Sequence, residues 1–211
     1  MRRTVAAASA TDDGRTRVRL DLAANGSAFV VLAAKPSPGV EMSGREGFRQ
    51  DVGGPWTVAF DPRGGVAQTN VIMDPLTDWT TCPQEGVRHY SGTASYRKTI
   101  ELDERTQRAA RLVLDLGEVA NVAEVSVNGV SCGIAWTAPF RVEIPPEVRA
   151  GSGALQLEVK VTNLWPNRLI GDATLPKERR LTRTNMNPYK GTEPLLKSGL
   201  IGPVRLIVWY N

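Results

Sequence analysis

Apolar and polar residues alternate along most of this chain with a period of two, the pattern of strands that bury one face. The clearest run is TASYRKTIE at 93 to 101. Ala94, Tyr96, Lys98 and Ile100 share one face there, and Ser95, Arg97 and Thr99 share the other. The same reading predicts strands at 56–60, 66–72, 110–116, 122–128, 131–136, 140–144, 154–162 and 203–209, with Asn128-Gly129 closing a hairpin. Further upstream, RVRLDLA (17–23) and AFVVLAA (28–34) flank Asn25-Gly26 and predict an extra N-terminal hairpin. Residues 1–16 have the composition of a loosely ordered tail, and the Pro-, Gly- and Ser-rich stretch 35–47 that of a linker. No stretch longer than ten residues carries a helical period; ERTQRAA, after Asp103, predicts a turn or two of helix. Short strands without alternating helices predict an all-β fold, an antiparallel β-sandwich over 48–211. Residues 163–202 break the pattern: about forty residues with little strand character, and loops of such length in compact domains are usually functional.

Composition narrows the function more than the fold. The 211 residues are 41% hydrophobic with a mean hydropathy of −0.23, ordinary for a chain with a buried core. They leave no room for a (β/α)₈ barrel of about 250 residues. The net charge of +4 is mildly basic, with excess in the first 19 residues and in KERRLTR at 177–183. Neither run is interleaved with aromatics, so a nucleic-acid interface is not expected and solvated basic stretches are. No run approaches the ~18 apolar residues of a membrane span, so no membrane partner is expected. The start, MRRTVAAASATDDG, has two arginines and an ASA triplet, but TVAAASA is too short for the apolar region of a signal peptide, and localisation stays open. Cys82 and Cys132 could pair in an oxidising compartment. With His89 as the sole histidine, neither a His-based metal site nor a Ser-His-Asp triad is expected.

The densest chemistry is NLWPNRLIGD at 163–172. Trp165 has an indole suited to the apolar face of a sugar ring. Asn167, Arg168 and Asp172 offer amide and charge-assisted hydrogen bonds to hydroxyls. The same residues also fit a self-satisfied corner, with an Arg168–Asp172 pair, Asn163 capping a strand end and Trp165 covering the core edge. Trp79 and Tyr90 flank a turn-rich loop and are either a second stacking platform or a seal on the end of the two sheets. Asn128 fits the left-handed position of its turn and is a weaker sugar-contact candidate. The carboxylate pairs Asp74/Asp78 and Glu178/Glu193 are conceivable for the two-carboxylate arrangement of a glycosidase but lie in loop sequence without a supporting shell. Asp61, Asp74 and Asp78 supply the hard oxygens that a structural calcium takes, without EF-hand spacing. No cofactor is expected. Gly117, Gly133, Gly199 and Gly202 lie in no strand–loop–helix context, so no nucleotide loop is predicted.

Taken in order, DVGGPWTVAF, PLTDWTT, YSGTASYRKTI, LDLGEVANVAEVSVNGVSCGIAWTAPFRVEI, VTNLWPNRLIGD and SGLIGPVRLI resemble the C-terminal β-sandwich region of glycoside hydrolase family 106, the bacterial α-L-rhamnosidases, over residues 17–211. The VNG…G…PF pattern is similar to the jelly-roll, galactose-binding-like domain of family 2 glycosidases. Cys132 departs from the aliphatic residue expected there. The resemblance implies a jelly-roll sandwich, a periplasmic or secreted parent enzyme, and a catalytic barrel outside this region. It also implies that Trp136, ahead of Ala138-Pro139-Phe140, lies near a sugar-facing rim. The function expected is a non-catalytic carbohydrate-binding or accessory module that meets a plant-type polysaccharide or rhamnoside through Trp165, Asn167, Arg168, Asp172, Trp136, Trp79, Tyr90 and Asn128. Two alternatives stand beside it: a purely structural sandwich that braces a catalytic barrel, and a small glycoside hydrolase.

Overall fold

A computed structural model describes residues 4–5, 8–18, 20, 22, 26–32, 40–41, 45–67, 69–149 and 153–210. Thr4–Val5 (β1), Ala8–Ala10 (β2), Thr16–Val18 (β3) and Val40–Glu41 (β4) form two short pairs, β1 parallel to β4 and β2 antiparallel to β3. An N-terminal antiparallel pair is therefore present at 8–18, and among the described residues of the expected 17–34 hairpin only Arg17 and Val18, in β3, have strand structure. Thr11 holds its turn through Asp13 and through the Arg15 carbonyl, 2.9 Å from Thr11 Oγ1. Residues 26–32 are described without strand structure, and Phe29, Val31 and Leu32 are exposed. A hairpin whose apolar face meets no third element is marginal in water. Asn25 and much of the expected linker lie outside the described residues.

The sandwich begins at 45, three residues before the expected boundary. Its strands are Arg45–Asp51 (β5), Trp56–Phe60 (β6), Asn70–Met73 (β7), Thr93–Glu101 (β8), Arg111–Asp115 (β9), Glu118–Ala120 (β10), Val122–Val127 (β11), Val130–Ala135 (β12), Arg141–Ile144 (β13), Ala154–Thr162 (β14), Gly199–Gly202 (β15) and Arg205–Tyr210 (β16). One sheet has the order β12-β11-β14-β8-β6-β7 and the other β13-β9-β16-β5, while β10 and β15 pair separately. All pairings in the two large sheets are antiparallel. Four single-turn or short helices punctuate them: Glu85–Arg88 (α1), Glu104–Gln107 (α2), Pro146–Arg149 (α3) and Pro166–Ala173 (α4). The polar start of α2 is explained by Asp103, whose carboxylate caps the Thr106 N–H at 2.7 Å.

Alternation places Val58, Tyr96, Val125, Leu155, Leu157 and Val159 inward from the large sheet, and Leu112, Leu114, Val142, Ile144, Leu206 and Val208 inward from the small one. On the back of the small sheet, Val113 and Ile207 are directly paired and also buried. Around them run the ion pairs Arg111–Glu143, Arg141–Asp115 and Arg205–Asp51, at 2.7–2.8 Å. Arginine stems shield apolar surface while their heads stay wet. At one end the core is sealed by aromatics. Phe60, Trp79 and Tyr90 meet edge to face at centroid distances of 5.0–5.5 Å, and Trp79 stacks on Tyr96 at 6.5 Å.

Candidate functional site

The sealed end is also the end that carries the candidate chemistry. Phe60, Ala94, Val161, Ala123 and Ala135 form one cross-strand row there. One step beyond that row the chain leaves the sheet at Trp136, enters Asn163–Trp165, and arrives from Tyr90–Gly92. Seven of the eight predicted residues therefore converge on one end. Asn128 is the exception and lies at the opposite end of β11. It occupies the left-handed turn position (φ 51°), and its side chain bridges the Val148 carbonyl (2.9 Å) and the Gln156 N–H (2.8 Å). Both ends of its amide are spent on the fold.

NLWPNRLIGD was expected to be a loop. From Pro166 it is α4, with proline in the first turn, where a missing N–H costs nothing. What hid the helix is its inward face, which is polar: Asn167, Arg168 and Asp172 are buried together with Ile170 and Gly171. Asn167 donates to the Leu196 carbonyl (2.6 Å) and Ser198 Oγ (3.0 Å), and accepts from the Leu196 N–H (2.8 Å). Asp172 is fully buried. It accepts from the Thr182 N–H (2.8 Å), Thr182 Oγ1 (2.5 Å) and the Leu181 N–H (3.3 Å). Arg168, 8% exposed, donates from Nη2 to the Gly64 carbonyl (3.1 Å) and lies 3.7 Å from Asp172. Burial pulls its pKa below the ordinary value, and Asp172 works against that shift. Asn163 accepts from the Gly92 N–H (2.9 Å) and donates to the Tyr90 carbonyl (2.8 Å) and Ser198 Oγ (3.0 Å). Buried polar groups are tolerated when paired in this way; the amides of Asn163 and Asn167 and the Asp172 carboxylate are satisfied by the protein itself, whereas Arg168 Nε is buried without a hydrogen-bond partner. Asn167, Arg168 and Asp172 are thereby corrected from sugar ligands to fasteners: Asn167 and Asp172 hold residues 181–198, and Arg168 ties α4 to the Gly64 turn.

Ser198, which the sequence reading passed over, is the hub of this corner. Besides meeting both asparagines, it donates its N–H to Asp78 Oδ1 (3.0 Å) and accepts at its carbonyl from the Trp79 N–H (3.0 Å). Nothing distinguishes it in sequence from a serine in a loop. Asp78 also caps the Thr80 N–H (3.0 Å), and Asp61 caps and pairs with Arg63. Among the described residues no group of three or more His, Cys, Asp or Glu is placed to hold a metal ion. Glu193 accepts from the N–H groups of Lys190, Gly191 and Thr192, led by Lys190, which hold its pKa below the usual carboxylate range. His89 packs on Gly171; burial and then Arg168 lower its pKa.

Trp79 is fully buried, and its Nε1–H donates to Tyr96 Oη at 2.5 Å. Tyr90 is buried as well, donating to the Thr93 carbonyl at 2.8 Å. Neither indole nor phenol presents a face to solvent, so the stacking platform drawn from these two is replaced by a core seal. Cys82 and Cys132 are both free thiols. Trp165 and Trp136 differ from the rest at 64% and 69% exposed, with Leu164 exposed beside them. Trp165 is held outward because Ser91 Oγ receives the Arg168 N–H (3.2 Å) and donates to the Leu164 carbonyl (2.9 Å), fixing the start of α4. Trp136 leaves β12 two strands from β14, a lateral offset of about 10 Å.

Comparison with known proteins places this geometry. No family model matches the chain. A protein of Formosa agariphila named "Putative beta-glucuronidase" is 40% identical over 179 residues, 74% of this chain and 15% of that protein. The rhamnosidase of Novosphingobium sp. PP1Y superposes with a TM-score of 0.75 at 34% identity, over 95% of this chain and 19% of that one. The β-glucuronidase of Ruminococcus gnavus shares the fold, with a TM-score of 0.53 at 20% identity over 77% of this chain and 29% of that one. The chain thus spans under a third of each of these proteins, and it is the counterpart of one β-sandwich domain of much larger glycoside hydrolases.

Proposed function

We propose that this chain is a non-catalytic, jelly-roll accessory domain of a rhamnosidase-like glycoside hydrolase, and that it contacts carbohydrate through Trp136 and Trp165. The observation that carries this reading is the contrast between the tryptophans. Trp56 and Trp79 are buried, whereas Trp136 and Trp165 stand out from one end of the sheet, Trp136 directly after β12 and Trp165 on backbone held by Ser91. Exposed indoles on rigid supports offer large apolar area at little entropic cost, which is what a sugar ring needs for stacking. The hydroxyl partners of the sugar are then backbone and rim groups, because the side chains of α4 are consumed internally. Titration of the chain with rhamnose-containing oligosaccharides, followed by tryptophan emission and calorimetry, tests this reading. It predicts a shift that disappears in Trp136→Ala and Trp165→Ala, and a flat titration of the unaltered chain would refute it.

A second reading is that the domain braces a catalytic domain. It is favoured by Val122 and Ile134, exposed on the outer face of β11 and edge strand β12, an apolar surface of the kind that partners cover.

A further inference from the structure

The 177–183 segment, KERRLTR, was read above as a solvated basic run, and its placement gives it a sharper role. On the sheets, arginines stand in ion pairs: Arg49 with Glu46, Arg97 with Glu158, Arg111 with Glu143, Arg141 with Asp115 and Arg205 with Asp51. Lys177, Arg179, Arg180 and Arg183 are exposed, and among the described residues none of them is in an ion pair. Among their side chains, that of Arg180 alone makes a hydrogen bond, to the Leu175 carbonyl at 3.0 Å. The backbone beneath them is fixed. Leu181 and Thr182 are tied to the buried Asp172, Leu181 lies over Gly65, and the Arg179 N–H bonds the Pro176 carbonyl at 2.9 Å. The cations therefore project from an anchored ridge, and little backbone order remains to be lost on binding. The ridge starts at the C-terminal end of α4, and Trp165 stands at the other end. The eight residues of α4 span about 12 Å, and three more residues lead from its end to Lys177.

We propose that this face, from Trp165 along α4 to Lys177–Arg183, binds an anionic glycan, a sugar polymer bearing carboxylate or sulfate groups. Trp165 stacks on a ring, and Arg179 and Arg183 meet the anionic oxygens, which a guanidinium fork matches bidentately. This inference rests on the sugar contact at Trp165 proposed above.

The full chain is titrated with polygalacturonate, with the same polymer after reduction of its carboxylates to alcohols, and with dextran sulfate against dextran. Each titration is run at low and high salt, for wild type and for the exposed double variant Arg179→Ala/Arg183→Ala. At low salt an anionic polymer binds at least about tenfold more tightly than its neutral counterpart. The double variant loses about five- to tenfold of that affinity, the scale of two surface charge contacts, and high salt erases the preference. Whichever of polygalacturonate and dextran sulfate shows the preference identifies the charged group. Equal affinity for charged and neutral polymers overturns the inference, as does an unaltered double variant or duplex DNA bound as tightly with the same arginine dependence. Neutral-sugar binding without any anionic preference sinks this inference and leaves the Trp136/Trp165 reading standing; absence of all glycan binding sinks both.

Discussion

Asp172→Ala tests the reassignment of the α4 motif from ligand contact to fastening. The carboxylate is fully buried and accepts three hydrogen bonds, two of them from the backbone N–H groups of Leu181 and Thr182. Truncation strands these donors at about 1–3 kcal/mol each and leaves the Arg168 guanidinium, 3.7 Å away, without its counter-charge. Breaking a buried pair by deleting one partner costs about 3–5 kcal/mol in all, not in addition to those terms. With an m-value of about 2 kcal/mol/M in urea, the unfolding midpoint falls by about 1.5–2.5 M. Asp172→Asn keeps the shape and one acceptor oxygen, so it falls by roughly half as much. Urea titration followed by far-UV circular dichroism measures the shift, and hydrogen exchange at Leu181 and Thr182 shows where protection is lost. A midpoint within about 0.3 M of wild type for Asp172→Ala would refute the fastening role, because the stranded groups would then be satisfied by water.

Other perturbations read different parts of the same end. Tyr96→Phe removes the oxygen that accepts both Trp79 Nε1–H and the Leu200 N–H, and is expected to cost about 2–3 kcal/mol in chemical denaturation. Gly199→Ala forces a left-handed position (φ 97°) to carry a Cβ that would lie 2.4 Å from Trp79 Nε1; soluble yield is expected to fall sharply, with a thermal midpoint at least several degrees lower in what remains. His89 has a folded pKa below its unfolded value of about 6.5, so the unfolded chain binds the extra proton first. Its neutral form therefore gives full stability above pH 6.5, with loss as pH falls from there through the folded pKa. His89→Gln is expected to flatten this part of the stability–pH curve.

The strands were legible because each has one face in oil and one in water. Runs 56–60, 93–101 and 154–162 have the bounds expected from alternation, and Asn128-Gly129 turns where expected. Strand β5 was obscured by charge: Arg49 is satisfied within the strand by Glu46, and Asp51 by Arg205, a partner 154 residues along the chain. Helix α4 was illegible for a related reason. Its buried face carries Asn167, Arg168 and Asp172, which periodicity assigns to solvent; the partners of Asn167 and Asp172 lie 10 to 31 residues further along the chain, and Gly64, which receives Arg168, lies 104 residues before it. The chemistry of NLWPNRLIGD was thus recognised as dense in polar groups, but the direction in which those groups point is set by tertiary contacts. Of the sugar-contact candidates, Trp136 and Trp165 alone keep a free aromatic face.

The indole N–H resonances of the five tryptophans, followed by NMR during titration with a rhamnose-containing oligosaccharide, report this division residue by residue. Trp136 and Trp165 are expected to shift with ligand concentration while buried Trp56 and Trp79 stay in place. A titration in which no indole moves, or in which Trp79 moves while Trp136 and Trp165 do not, would contradict the account.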